Sequence, residues 1–358
     1  WDEEKPYTTR WGKTTEEREA WARKLAEDYD VFVVDRADEP VALGYFVGAR
    51  HLNPNGRMIV DFDDDFTCVP EWNQAYKKFQ PGMTMHDTGL WHLSCAELTT
   101  VSTQPLVERF APKTHRIALC QNYIDPADWA DLPVNPERQL DPSFRILYGG
   151  AAGHYGDLDV VADGLKAFLR NPPGPVRLIA LGTIPRWLHD LRRELPHRVV
   201  LLPWVEFKNY PAAVAWGGFD LAIAPLANHP FNLSKSSIKA QEAGIQGIPF
   251  FASDVGPYAR LPAETLVRVP NEPEAWEQGL RDAYADRGEL ATRAKRLKEW
   301  VLDRRTVTQA RTVWERAILE ACAAPKLSDL ESLKRLEGII VAPDPSNPTA
   351  DAGDQAER

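Results

Sequence analysis

The chain has 358 residues, with 42 basic against 52 acidic side chains and a net charge of -10. That length exceeds one ordinary core and fits two domains of roughly 150 to 180 residues, while the acidic balance argues against nucleic acid as the main partner. No apolar run approaches the ~20 residues that cross a bilayer, and no signal peptide is visible, so a cytoplasmic protein with at most peripheral membrane contact is expected.

In chain order, Glu16 to Asp28 reads as a charged amphipathic helix, and Tyr29 to Arg36 as a buried strand. Met58 to Phe62, Leu98 to Ser102 and Arg116 to Leu119 are further short strands with helices between them. Asn135 to Pro142, rich in turn residues, reads as a linker. A second series of strands runs through Phe144 to Gly149, Val176 to Leu181, Val199 to Leu202, Phe219 to Pro225 and Ile248 to Ala252. Strands alternating with helices imply parallel sheets, hence an α/β protein of two similar halves. Glu274 to Ala323 reads as successive helices. The Pro-, Asp- and Ala-rich tail 341–358 lacks periodic hydrophobicity and is expected to be disordered. Cys68, Cys95, Cys120 and Cys322 are too scattered for a zinc pattern or a disulfide framework, which suggests reduced thiols.

Two clusters carry chemistry. In Phe231-Asn232-Leu233-Ser234-Lys235-Ser236-Ser237-Ile238-Lys239-Ala240-Gln241-Glu242, residues Lys235, Lys239 and Glu242 stand at i, i+4 and i+7, with Ser234 as the expected N-cap. Lysines in a first helical turn oppose the helix dipole, so an anion such as a diphosphate is expected beside them. Glu242, one turn deeper, can accept hydrogen bonds from a sugar hydroxyl pair such as a ribose. A solvated Lys-Glu face is the plain alternative. Gly149-Gly150 and Pro225 end neighbouring strands and open onto one crevice. His154 can bond a phosphate or sugar oxygen there, Asp157 reads as a helix cap, and Trp204 and Tyr210 either frame a base or belong to the core.

The second cluster, Asp61-Phe62-Asp63-Asp64-Asp65, ends a strand. It admits a divalent-metal reading as in Asp-x-Asp transferases of the GT-A type, an aspartyl-nucleophile reading as in haloacid dehalogenase-like phosphatases, or plain helix capping. The phosphatase reading suffers because Thr67 is out of register, and the metal reading because the motif comes early and a nucleotide-like half follows.

In order, the glycine loop Ile146 to Leu158, Val199 to Trp204, Asp220 to Leu226, the Lys-Ser-x-x-Lys-x-x-Glu run and Gly247 to Asp254 resemble the donor domain of the group 1 glycosyltransferases. Asp61 to Phe66, Val101-Ser102-Thr103 and Asn122 to Asp125 resemble a branch of that group with an Asp-rich motif in its first domain. The resemblance covers most of residues 29 to 320. It implies the GT-B fold, two Rossmann-like parallel-sheet domains facing a cleft: an acceptor-side domain over 1–140, a donor domain over 143–305 and helices over 306–340 that return to the first domain. It further implies a retaining hexosyltransferase that moves a sugar from a nucleotide diphosphate sugar to a hydroxyl acceptor and needs neither cofactor nor metal. Lys235 then stabilises the leaving diphosphate. Asp63, Asp64 and His154 serve at the reacting sugars, and Gly149, Gly150, Trp204, Val205, Asn232, Ser236, Lys239 and Glu242 hold the donor. The chain departs from the pattern in three respects. Ser234 stands where the first glutamate of the Glu-x7-Glu motif is usual, no Arg and Lys pair follows the glycine loop, and the chain begins at Trp1 without the usual opening strand. A trimmed or reduced first domain accounts for the last. The other two leave a catalytically silent sugar-nucleotide-binding module as the alternative.

Overall fold

The computed structural model describes residues 14–35 and 40–341. They form two compact units. One takes the described residues of Trp1–Phe62, Pro81–Leu119 and Glu315–Arg358, and the other Asp63–Gln80 and Cys120–Trp314.

The first unit opens with helix α1 (Thr15–Asp28), whose start is set by a capping box between Thr14 and Glu17. Strand β1 (Val31–Asp35), α2 (Pro40–Leu52), β2 (Arg57–Phe62), α3 (Thr84–Cys95), β3 (Leu98–Val101), α4 (Gln104–Phe110) and β4 (Ile117–Leu119) follow. The sheet is parallel throughout, in the order β1-β2-β3-β4. Helices between parallel strands cover both sheet faces, which is why Met58, Ile59 and Val60 are all fully buried. The side chains of Arg50 and Glu97 are also fully buried, 3.3 Å apart. Glu97 further accepts hydrogen bonds from the Met58 and Leu327 amides, so this ion pair fastens the returning C-terminal chain to β2.

In the second unit β5 (Phe144–Gly150) is central. After it come α5 (Tyr155–Asp159), α6 (Ala162–Arg170), β6 (Val176–Gly182), α7 (Arg186–Glu194), β7 (Val199–Leu202), α8 (Tyr210–Gly217) and β8 (Leu221–Ala224). The short α9 (Pro230–Leu233), α10 (Ile238–Gln246), β9 (Phe250–Ser253), α11 (Gly256–Ala259) and β10 (Val267–Val269) complete the sheet region. All six strands are parallel, in the order β10-β9-β8-β5-β6-β7. Alternation along β5 sends Phe144, Ile146 and Tyr148 into one apolar cluster and Leu147 into the other, so the sheet has a core on each face. Three helices follow, α12 (Pro273–Ala285), α13 (Arg287–Arg304) and α14 (Val307–Ala323), before α15 (Asp329–Val341) packs on α3 in the first unit. No helix of the described residues is long and apolar enough to cross a membrane.

Four expectations change. The expected linker Asn135 to Pro142 contains a 3-10 turn, Pro136–Leu140, inside the second unit. Arg138 holds it there by donating to the Gly218 and Asp141 carbonyls, each at 2.6 Å, and to the Asp220 carboxylate. The chain therefore enters the second unit at Cys120, and Asp63–Gln80 belongs to that unit as well. Strand β10, whose three residues are split by Arg268, was not expected. Ser234 does not cap the lysine-bearing helix. Pro230 starts the separate helix α9, Ser234 closes it, and α10 begins only after Ser237. Of the tail, Val341 ends α15, while 342–358 lie outside the described residues, as do Trp1 and Arg36.

Candidate functional site

The carboxyl edges of β5 and β8 bring together the loop Gly149 to Asp157, the loop Pro225 to Ser237 and the first turns of α10. The hub is Asp157, 1% exposed. Its carboxylate accepts from the His154 ring at 2.7 Å, from the Ala227 amide at 3.0 Å and from the Asn232 side-chain amide at 2.6 Å. Burial opposes ionisation of Asp157, but His154, the Ala227 N–H and Lys239 outweigh it and hold the carboxyl below its ordinary range. Asp157 therefore ties loops together and does not act as a helix cap. Asn232 also donates to the Ala227 carbonyl at 3.0 Å, so its amide group is engaged in shaping the loop.

The Lys239 charge, with burial, pushes His154 down to about 4 against the pull of Asp157. A neutral imidazole that donates Nδ1–H to Asp157 keeps a lone pair on Nε2. Lys239 donates to the Gly149 carbonyl at 2.9 Å and sits 5.7 Å from the Tyr148 ring centre. Burial and the neighbouring Lys235 lower it to about 8, although Asp157 and Glu242 oppose them. Glu242 moves the other way. Burial lifts it to about 7 despite Lys239 and a hydrogen bond from the Tyr210 hydroxyl. Gly149, Tyr210, Lys239 and Glu242 line one cavity floored by Val214, Ala222 and Phe250. Tyr210 is thus committed to Glu242 and does not frame a base.

Lys235 reaches the site from the turn before α10, not from the helical face that the spacing implied. Its ammonium lies 3.4 Å from Asp64 Oδ1 and 4.5 Å from the Phe231 ring centre. Ser236 accepts from the Asn122 side chain at 2.9 Å. Gly150 follows Tyr148 so closely that a Cβ there would stand 2.6 Å from the tyrosine oxygen. Trp204 is 65% exposed beside Gly182, whereas Val205 packs on the core.

The Asp-rich segment resolves into distinct roles. Asp61 accepts from Thr100 on the adjacent strand, and Asp65, 2% exposed, accepts from the Thr67 amide and hydroxyl at 3.1 and 2.6 Å. Asp64 faces Lys235, and Asp63 is exposed. Further along, a Cβ at Gly156 would lie 2.5 Å from the Trp72 ring and one at Gly153 would lie 3.1 Å from the Asn73 amide. Trp72 also meets His229 edge to face, with ring centres 5.2 Å apart. Residues 63–80 thus form a strap over the glycine loop, which needs Gly153 and Gly156 to admit it. Trp72, Asn73 and His229 carried no sequence signal, because only the strap's course brings the first two to the site, whereas Asn122 opened a segment noted for its resemblance alone. Among the described residues no group of three His, Cys, Asp or Glu is placed to hold a metal.

No family model matches the sequence, and no curated protein matches it. Solved structures do. Sucrose-phosphate synthase from Thermosynechococcus elongatus superposes with a TM-score of 0.62 at 18% identity over 84% of this chain and 76% of that one. HepE of Anabaena, in complex with UDP and glucose, gives 0.61 at 17% identity over 86% and 83%. A glycosyltransferase from Rickettsia africae gives 0.60 at 14% over 86% and 83%. The chain has the GT-B fold, two Rossmann-like units each built on a parallel sheet. At these identities the likeness speaks for the fold, and the chemistry rests on the site.

Proposed function

We propose that this chain is a group 1 glycosyltransferase of the hexosyltransferase type (EC 2.4), taking a nucleotide diphosphate sugar as donor and a hydroxyl group as acceptor. The observation that carries the reading is the convergence of Lys235, Lys239 and Glu242 beside a neutral His154 at the carboxyl edge of the second sheet. Two ammonium groups that repel each other here, Lys239 pushed down by burial and by Lys235, call for an anion beyond Asp64 and Glu242. A diphosphate supplies it. Glu242, with its carboxylate steadied by Tyr210, suits a pair of ribose hydroxyls. Ser236, Gly149 and Gly150 bound the diphosphate, and Trp204 with Val205 lies toward the base. HepE was solved with UDP and glucose, which makes UDP-glucose the first donor to try.

In the reaction, the bond between the anomeric carbon and the β-phosphate oxygen breaks, and a bond from that carbon to the acceptor oxygen forms on the same face. The acceptor proton passes to a phosphate oxygen. Lys235 and Lys239 act electrostatically, stabilising the charge that builds on the departing diphosphate. His154, unprotonated at Nε2, accepts a hydrogen bond from a donor-sugar hydroxyl. Asp64 orients Lys235, and Asp63, exposed at the end of β2, serves at a sugar hydroxyl. The scheme uses no metal: Asp61, Asp64 and Asp65 of the Asp-rich cluster are held by Thr100, Lys235 and Thr67. Ser234 supports a second reading, a binding module without turnover, because its hydroxyl donates to the Pro230 carbonyl where a catalytic carboxylate is usual. UDP release from UDP-glucose across an acceptor panel tests both. Turnover that Lys239→Met lowers supports the transferase, and donor binding without turnover supports the module.

A further inference from the structure

We infer that α7 builds a second anion site, separate from the donor cluster, for a phosphate monoester carried on an apolar or aromatic body. A cavity of about 1050 Å³ lies against this helix. Leu188 and Leu191 point into the core, which turns Arg186, His189 and Arg193 outward at i, i+3 and i+7, with Arg192 at their margin. All four line the cavity. Every carboxylate close by is already engaged. Asp190 pairs with Arg193 at 2.8 Å, Glu194 with Arg170 at 2.7 Å, and Asp159 accepts from the Trp187 indole at 2.7 Å. Arg186 and Arg192 are left without an acidic partner among the described residues, in a chain whose net charge is -10. Guanidinium groups in that position suit the oxygens of a phosphate dianion.

The remaining walls give the rest of the ligand. Ile184 and Pro185 are buried and apolar, and the Tyr155 and Trp187 rings are partly exposed. Inorganic phosphate would fill little of the space, whereas a body of drug-like size matches it. Helix α5 separates the two sites by its two faces, because Asp157 turns inward to His154 while Tyr155 and Asp159 line the second cavity. The inference therefore does not depend on the donor reading.

Calorimetry at low salt with phenyl phosphate, on the full chain, tests it. The Arg186→Ala/Arg192→Ala double variant should bind at least about tenfold more weakly, since it removes two charge-assisted contacts to the phosphate. Its melting temperature should match the wild type, because both residues are exposed. Lys239→Met should keep phenyl phosphate affinity within about twofold, given the additivity of distant sites. No measurable binding to the wild type, or equal binding to the double variant, would overturn the site. Benzoate binding as tightly would overturn the dianion, and inorganic phosphate binding as tightly would overturn the apolar body.

Discussion

Donor affinity should pass through a maximum near neutral pH, because the two groups that the proposed function sets against the donor have moved toward each other on the pH scale. Lys239 falls from 10.5 to about 8 and Glu242 rises from 4.5 to about 7. For a base whose folded value is lowered, the stabilising term is present above 10.5 and is lost as pH falls through about 8, so at neutral pH the charged Lys239 burdens the empty site. For Glu242, whose value is raised, the term is present below 4.5 and lost as pH rises through about 7. A diphosphate that restores Lys239 toward its ordinary value binds about tenfold more weakly for each pH unit above the free-protein value, or roughly a hundredfold across two units. Below neutrality, Glu242 takes up its proton and loses its strength as an acceptor for ribose hydroxyls. Both limbs belong to the coupled pair, and His154, at about 4, stays out of the window. The assay is calorimetric titration of UDP-glucose from about pH 6 to pH 10, a range in which its diphosphate does not itself titrate. Lys239→Met should remove the alkaline limb. An affinity that is flat across the range, or an alkaline limb that survives in Lys239→Met, would refute the reasoning.

Three further outcomes follow from the geometry. Asp64→Asn should raise donor affinity about two- to fivefold, the worth of one partly exposed ion pair, because it removes the carboxylate that competes for Lys235; a tenfold loss by calorimetry would assign Asp64 to the ligand instead. Gly156→Ala should destabilise the protein by about 1–3 kcal/mol through overpacking against Trp72, and Trp72→Ala in the same chain should recover part of that loss. Additive effects on denaturant midpoints would show that the strap does not press on this loop. Glu97→Gln should cost about 3–5 kcal/mol, since it leaves Arg50 buried without its partner; an unchanged melting temperature would show that the pair is not what fastens residue 327 to β2.

Most of the architecture was legible because its signals are local. Nine of ten strands announced themselves as short apolar runs bounded by turn residues, and β10 did not, its Val267-Arg268-Val269 being broken by a charged residue. Glu242, Lys239 and the glycine loop were also readable, since a helix turn and a strand end place them without reference to the rest of the chain. Periodicity failed at Lys235, because a proline at position 230 starts a separate helix and interrupts the register on which the i, i+4, i+7 spacing relied. Burial and long-range pairing were decided by the tertiary structure alone. The values of Lys239 and Glu242 depend on how little water reaches them, and Tyr210, 32 residues before Glu242, becomes its partner only when α8 and α10 pack on one sheet face. Likewise, Asp64 and Lys235 stand 171 residues apart, and nothing in either segment's composition says that residues 63–80 leave the first unit to lie on the second. Secondary structure follows from which residues are neighbours in sequence, whereas the charge states and contacts that give this site its chemistry follow from which residues exclude the same water.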